Sequence, residues 1–329
     1  MKYHPTIAAI GCALLAINLA EAKTITVDNK VGSVAMYTSV QAACNAADAG
    51  DTILIAGSPT EYGSPTITKR LHLVGPGYFL NENGIPGITK DFARISPIFS
   101  VIELSSPSNS SVTGITGQPT VSAGVNNISF DKGYFNQIFG QFNGGVVSVK
   151  RSYFENYCNL TVAGSSIQNS IVGNLYLENA TTATNCVIRS EFSSASGSSI
   201  SNSIFLMSSS SAAFAAGAKG SVTHSLAVGG VGIGGNPTFL PSGNGNIPTI
   251  AFTSQAFVQN QTNDKAFVLA TNSPAIGTGL NGVDIGIFGG VLPYVISGVP
   301  SIPRITRFQV PATATSASGL RIEMDAQSF

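Results

Sequence analysis

Tryptophan is absent from this 329-residue chain, charged residues make up only 10% of it, and it carries just three histidines and four cysteines. Each shortage removes a class of function. Sixteen Lys and Arg balance sixteen Asp and Glu, so there is no basic excess to neutralise phosphates, and nucleic acid and anionic lipid are not expected partners. His4, His72 and His224 are scattered, which leaves a Cys/His zinc site without support, and no metal or cofactor is expected. Beyond the N-terminus no run reaches the roughly 18–20 apolar residues a membrane helix requires. Glycan cleavage needs two carboxylates flanking the bond, or a base with a cation. Across 150–219 the carboxylates are Glu155, Glu178 and Glu191, spread over separate repeats with no Asp beside them and no acidic cluster suited to Ca²⁺. No catalytic residue is assigned.

What the chain does have is a recurring phrase of Asn, then Ser or Cys, then two apolar residues. It reads Arg151-Ser152-Tyr153-Phe154, Asn169-Ser170-Ile171-Val172, Asn185-Cys186-Val187-Ile188, Asn202-Ser203-Ile204-Phe205 and His224-Ser225-Leu226-Ala227, with steps of 18, 16, 17 and 22 residues. Such steps suit one coil of a β-solenoid and are too short for a folded domain. Asn tolerates left-handed backbone angles, so Asn169, Asn185 and Asn202 belong at a turn and are expected to form a structural ladder, which Arg151 and His224 interrupt. Repetition in register is what stacking demands and catalysis does not.

The first 22 residues are set apart from the fold. Lys2 gives a positive start, Ile7 to Leu19 is mostly apolar, and Ala20-Glu21-Ala22 has the small-x-small form of a signal cleavage site. The mature chain would then be exported, with no integral membrane segment. Of the cysteines that remain, Cys186 fills the slot that Ser takes in other repeats; three buried thiols are favoured over a Cys158 to Cys186 bridge, for which sequence supplies no Cα separation. Val40, Ala43, Cys44 and Ala47 fall on one helix face before Gly50, predicting a short helix that caps the stack. Strand-like runs follow over Asp51–Ile55 and Thr66–Gly75.

The run Ser39, Ala42-Ala43, Ala47, Gly50-Asp51-Thr52-Ile53, Ala56-Gly57, Glu61-Tyr62, Ile67, Lys69, Leu71 and Val74-Gly75-Pro76-Gly77 resembles the opening of right-handed parallel β-helix proteins of the pectin lyase-like group. Phe267-Val268-Leu269, Ser273-Pro274-Ala275-Ile276-Gly277 and Asp284-Ile285-Gly286-Ile287-Phe288-Gly289 resemble the closing coils of bacterial exported β-helix proteins, and the stretch from Pro293 to Pro303 is similar to tails of surface β-helix proteins from Bacteroidetes. The resemblance implies a fold and an extracellular or cell-surface setting; it implies no activity, since the group includes lyases, hydrolases and adhesins.

The expected organisation is therefore all-β: a signal peptide over 1–22, a right-handed parallel β-helix with an N-terminal cap helix over 23–290, and a connector with a β-hairpin tail over 291–329. The 231–262 stretch reads as an insertion. In the tail, Leu320, Ile322, Met324 and Ala326 alternate with Arg321, Glu323, Asp325 and Gln327, a pattern expected to cover one side or the end of the solenoid. The sharper reading has the hairpin offer its edge to a partner, making an oligomer. Phe130, Tyr134, Phe135, Phe139, Phe142, Tyr153, Phe154 and Tyr157 crowd one stretch. Most of these rings are expected inside the coil; Tyr134, Tyr153 and Tyr157 are the expected exposed members and, with Lys150 and Arg151, form the candidate glycan-binding surface. The functional expectation is a non-catalytic surface protein for structure, adhesion or glycan contact. Its rivals are a polysaccharide lyase or hydrolase and a filament or complex subunit joined through the tail. Extracellular polysaccharide or another surface protein is the candidate partner.

Overall fold

The interior of the stack follows from one column of residues. Ile25, Ile53, Leu73, Val112, Phe130, Val149, Ile167, Ala183, Ile200 and Val222 are paired in register, each directly above the last, and all are buried. They are the inward positions of a ten-stranded parallel sheet running from Thr24–Val27 to Ser221–Thr223. Alternation along each short strand sends one face inward, and full burial of each branched or aromatic side chain contributes about 1.5–3 kcal/mol. A second sheet of eight parallel strands, from Thr116–Gly117 to Ile247–Ile250, faces it with the inward column Phe135, Phe154, Val172, Ile188, Phe205 and Ala227. A third sheet of three strands, Thr66–Ile67, Phe99–Val101 and Pro119–Val121, completes the early coils. This is a computed structural model, and it describes residues 22–85, 99–101, 109–122, 125–138, 145–206, 220–229, 240, 243–310 and 319–327. The expected signal segment but for Ala22, together with Phe139, Phe142 and most of 231–242, lies outside these residues.

The recurring phrase marks the corner between the first and second sheets. Lys132, Arg151, Asn169, Asn185, Asn202 and His224 all hold φ between 46° and 54° there. The small residue after each corner builds a hydroxyl ladder. Ser170, Ser203 and Ser225 accept at Oγ from the N–H of Ser152, Cys186 and Ser203 one coil earlier, at 3.1, 3.0 and 3.2 Å. Each of these hydroxyls then donates to the carbonyl two residues back in its own coil. Both buried polar atoms are thereby satisfied.

Both ends of the stack are blunted. Helix α1 (Val40–Ala46) is capped by Ser39, whose Oγ accepts from Ala42 N at 3.3 Å, and it buries Val40, Ala43 and Cys44, with Ala47 just beyond it, over the first coil. At the far end the outermost strand of the second sheet, Ile247–Ile250, contains Pro248, which has no N–H to offer a further strand.

The stacked strands stop at Ile250, and the closing stretch that resembles β-helix coils does not form one. Residues 253–303, from helix α2 (Thr253–Ala256) onward, instead run as a belt over the outside of the second sheet. Phe257, Phe267, Ala275, Ile285, Ile287 and Tyr294 pack on the outward column Tyr153, Ile171, Val187, Ile204 and Leu226. The corner amides lace the belt down. Asn202 Oδ1 accepts from Leu280 N at 2.8 Å. Asn185 Nδ2 donates to Asp284 O and Gly286 O at 3.0 and 3.1 Å, and Asn169 Nδ2 to Ile287 O and Gly289 O at 2.9 and 2.7 Å. The asparagines stack in register, but their side chains bond the belt rather than the next coil. Asn185→Gly, which keeps the left-handed angle and loses both amide bonds, is expected to cost about 1–3 kcal/mol in denaturant unfolding. Asn185→Ala should cost about 1 kcal/mol more, because Ala also resists that angle.

The belt is pinned near the start of the solenoid by a buried polar knot. Asp264 accepts from Asn83 Nδ2 at 2.7 Å, Ser297 N at 2.6 Å and Tyr294 Oη at 3.2 Å. The Tyr78 hydroxyl bonds that of Tyr294. Beside it, buried Lys132 donates from Nζ to Val299 O at 3.1 Å and Ser301 Oγ at 3.0 Å.

After the belt, Arg304–Gln309 and Glu323–Gln327 pair antiparallel as the expected hairpin. It does not cover the solenoid: Leu320, Ile322 and Met324 are each more than half exposed. The belt already occupies the outer face, and a two-stranded ribbon has no layer of its own to bury its apolar side.

Cys44, Cys158 and Cys186 are free and buried. Burial pushes the thiol of Cys44 up to about 11 and that of Cys186 up to about 12, and raises Cys158 as well. None of the three is expected to react with a chromogenic thiol reagent in the folded protein, whereas all three should react once it is denatured.

Candidate functional site

Past the column that the belt covers, the outer face of the second sheet is open. Its strands are interrupted by bulges after Phe135, Phe154 and Val172, and then resume. Gln137, Tyr157, Asn174 and Glu191 then face outward in register on successive coils. Asn159, Tyr176 and Ser193 form the next outward column. Tyr157 and Tyr176 are both partly exposed. Tyr176 Oη donates to Glu191 Oε2 at 3.0 Å, and partial burial together with that bond raises its pKa above the usual tyrosine value. A shallow groove of about 430 Å³ flanks Tyr176, lined also by Glu178, Asn179, Ser193 and Ser196.

Arg189, in the bulge, organises the inner margin of this strip. Its Nη2 reaches back two coils to donate to Phe154 O at 3.0 Å and Glu155 O at 2.6 Å, and lies 3.7 Å from Glu155 Oε2. Its Cζ sits 4.9 Å from the centre of the Tyr153 ring, a cation–π arrangement. The coil between carries Gly173, where a Cβ would stand 2.1 Å from Asn156 O, so only glycine fits under the bulged backbone. Tyr134 Oη donates to Glu155 Oε2 at 3.4 Å. Tyr134 and Tyr153 lie 5.5 Å apart, and Phe79, itself held at φ 49°, wedges against both at 5.1 and 5.5 Å.

These placements divide the residues singled out in the sequence. Tyr134 and Tyr157 are half-buried on the outer face, as an accessible surface requires. Tyr153 is a correction: it is only 5% exposed, roofed by Phe79 and Arg189, and burial pushes its hydroxyl up to about 12. It supports the strip from beneath. Lys150 ends a strand of the first sheet, and Arg151 occupies the corner, where Nε and Nη2 grip Asp131 at 2.8 and 2.5 Å. The corner therefore separates both cations from Tyr157. Phe130, Phe135 and Phe154 lie inside the coil. Asn169, Asn185 and Asn202 face the belt. Sequence reasoning missed Asn174, Tyr176 and Arg189 and weighed Glu191 only as an isolated carboxylate; the signal available was their place in each repeat, following the apolar pair that follows the corner.

Among the described residues no group of three or more His, Cys, Asp or Glu side chains is placed to hold a metal ion, and no helix is long and apolar enough to cross a membrane.

No family model matches the chain, and no curated protein matches it. Among solved structures it is similar to the crystal structure of a pectate lyase, with a TM-score of 0.50 at 13% identity, over 82% of this chain and 97% of that one. At that identity the likeness carries the fold alone. The chain has a right-handed parallel β-helix fold, the architecture expected from its opening residues.

Proposed function

We propose that this chain is an exported, non-catalytic surface β-helix protein that contacts an extracellular polysaccharide along the outer strip of its second sheet. One observation carries the reading: Tyr157 and Tyr176 stand on adjacent coils among Asn174, Glu191, Asn159 and Ser193, on an open, shallow and mixed aromatic and polar surface. Sugar rings bury a flat apolar face and need hydroxyl partners at their edges, and this arrangement offers both. Contact is favoured over cleavage because Glu155 and Glu191 stand two coils apart and Arg189 is held onto the backbone of Glu155.

Affinity electrophoresis of the purified chain through gels containing a panel of polysaccharides tests this reading. Retardation by at least one glycan is expected, and the Tyr157→Ala/Tyr176→Ala variant should bind it at least about tenfold more weakly, which corresponds to about 1.4 kcal/mol. Retention undiminished by that change would place the contact elsewhere. New reducing ends or unsaturated products in the same mixtures would remove the non-catalytic half of the proposal and favour the lyase or hydrolase reading.

A second reading rests on the tail, whose hairpin exposes Ile305, Leu320, Ile322 and Met324. Exposed apolar β-ribbons bind partners. If the hairpin joins copies into a complex, full-length protein should sediment as an oligomer and protein ending at Pro303 as a monomer. Oligomers that survive the truncation would exclude the tail.

A further inference from the structure

The strip is one end of a longer track along the solenoid axis. The position after each apolar pair that follows the corner is Glu155, Gly173, Arg189, Leu206 and Val228 on successive coils; Glu155, Arg189 and Leu206 reach the surface, while Gly173 and Val228 are buried beneath it. With coils about 4.8 Å apart, these five positions span about 19 Å. At the far end a groove of about 390 Å³ opens between Arg189, Leu206 and Val228 on the sheet and Phe252, Thr253 and Ser254 at the start of the belt. Phe252 is 67% exposed, although it is one of the largest apolar side chains in the protein. The track is thus acidic with tyrosines at one end, and apolar with a ring and two hydroxyls at the other.

Its charge discriminates between ligands. Glu155, Glu178 and Glu191 lie on or beside the strip, and Arg189 is the cation among them, turned inward onto Phe154 O, Glu155 and the Tyr153 ring. Lys150 and Arg151 are on the other side of the corner. A chain of uronates laid here would bring its carboxylates against these carboxylates while Arg189 is turned inward onto the coil, and surface repulsion of this kind is strongest at low salt. An ammonium group would be attracted instead. An acyl methyl would find the partly exposed Leu206, with the sugar face on Phe252.

We infer, on the premise that this surface is the glycan contact proposed above, that its ligand is a polymer of amino sugars, partly N-acylated and without carboxylates. The ammonium groups meet Glu155 and Glu191, and the acylated sugars occupy the groove at Phe252.

Calorimetry of the full chain at low salt against partially acetylated chitosan oligomers, neutral β-glucan oligomers and oligogalacturonate tests the inference. Chitosan oligomers are expected to bind at least about tenfold tighter than either of the others, an advantage that 0.5 M salt reduces. Glu191→Gln, which keeps an acceptor for the Tyr176 hydroxyl, should erase most of that advantage without lowering the melting temperature. Phe252→Ala should weaken acetylated oligomers and spare fully deacetylated ones. Oligogalacturonate or the neutral glucan binding as tightly as chitosan would overturn the amino-sugar assignment and leave glycan contact standing. Failure of all three to bind a protein whose melting profile shows it folded would overturn the amino-sugar assignment, and absence of retardation by the whole polysaccharide panel would overturn glycan contact as well.

Discussion

Replacing Asp264 by Ala is expected to lower the unfolding free energy by about 3–5 kcal/mol, measured in denaturant. The carboxylate is fully buried and collects three donors, Asn83 Nδ2, the Ser297 backbone N–H and the Tyr294 hydroxyl. Truncation leaves the Ser297 N–H without its acceptor and removes one acceptor each from Asn83 Nδ2 and the Tyr294 hydroxyl in a buried site. The effect has a characteristic pH dependence. Burial is the main cause that raises the Asp264 pKa above its ordinary value, and the three hydrogen bonds only partly oppose it. A group whose pKa is higher in the folded state contributes fully below its unfolded value of about 3.9, and that contribution is lost as the pH climbs through the folded value. The stability gap between the wild type and Asp264→Ala should therefore widen as the pH falls from 7 toward 4. A gap that narrows over that range would show Asp264 to be held as a favourable ion instead.

The second large effect is expected at Gly77, which holds φ 103° and whose added Cβ would stand 2.4 Å from Ser297 O. Neither the backbone angle nor the contact can be relieved by a side-chain rotation. Gly77→Ala should cost about 3 kcal/mol, combining strain with loss of the neighbouring bond from Tyr78 N to Ser297 O. The first observable consequence should be release of the belt end: limited proteolysis is expected to cut within 291–303 in the variant and not in the wild type. Because Asp264→Ala loosens the same end, the double variant should lose less than the sum of the two. Strict additivity would mean that the knot and the Gly77 contact hold different structures.

The parts of this fold that can be read from sequence are those in which chemistry repeats at short range. Asn169, Asn185 and Asn202 advertise a left-handed corner because the same residue recurs at coil spacing, and Val40, Ala43, Cys44 and Ala47 define the buried face of α1. The belt has no such period. Asn169 finds Gly289 120 residues later, and Asn83 finds Asp264 181 residues later, through pairings that occur once each. The same limit applies to the strip. Lys150 and Arg151 look like partners of Tyr153 because they precede it, yet the corner turns the chain between them. Arg189 braces the margin of the strip but carries no short-range signal, because its partners lie two coils away across Gly173, which in sequence looks like a simple interruption.

The lacing of corner amides onto 280–289 gives synthesis a finish line. A ribosome delivers each corner asparagine about a hundred residues before the carbonyls and amide it must meet, so a nascent chain can wind its coils while one whole flank still shows Ile171, Val187 and Ile204 to the surroundings. Only arrival of the belt over 253–303 hides them. A copy terminated before residue 253 would therefore keep that greasy flank exposed, the kind of surface that chaperones and proteases bind.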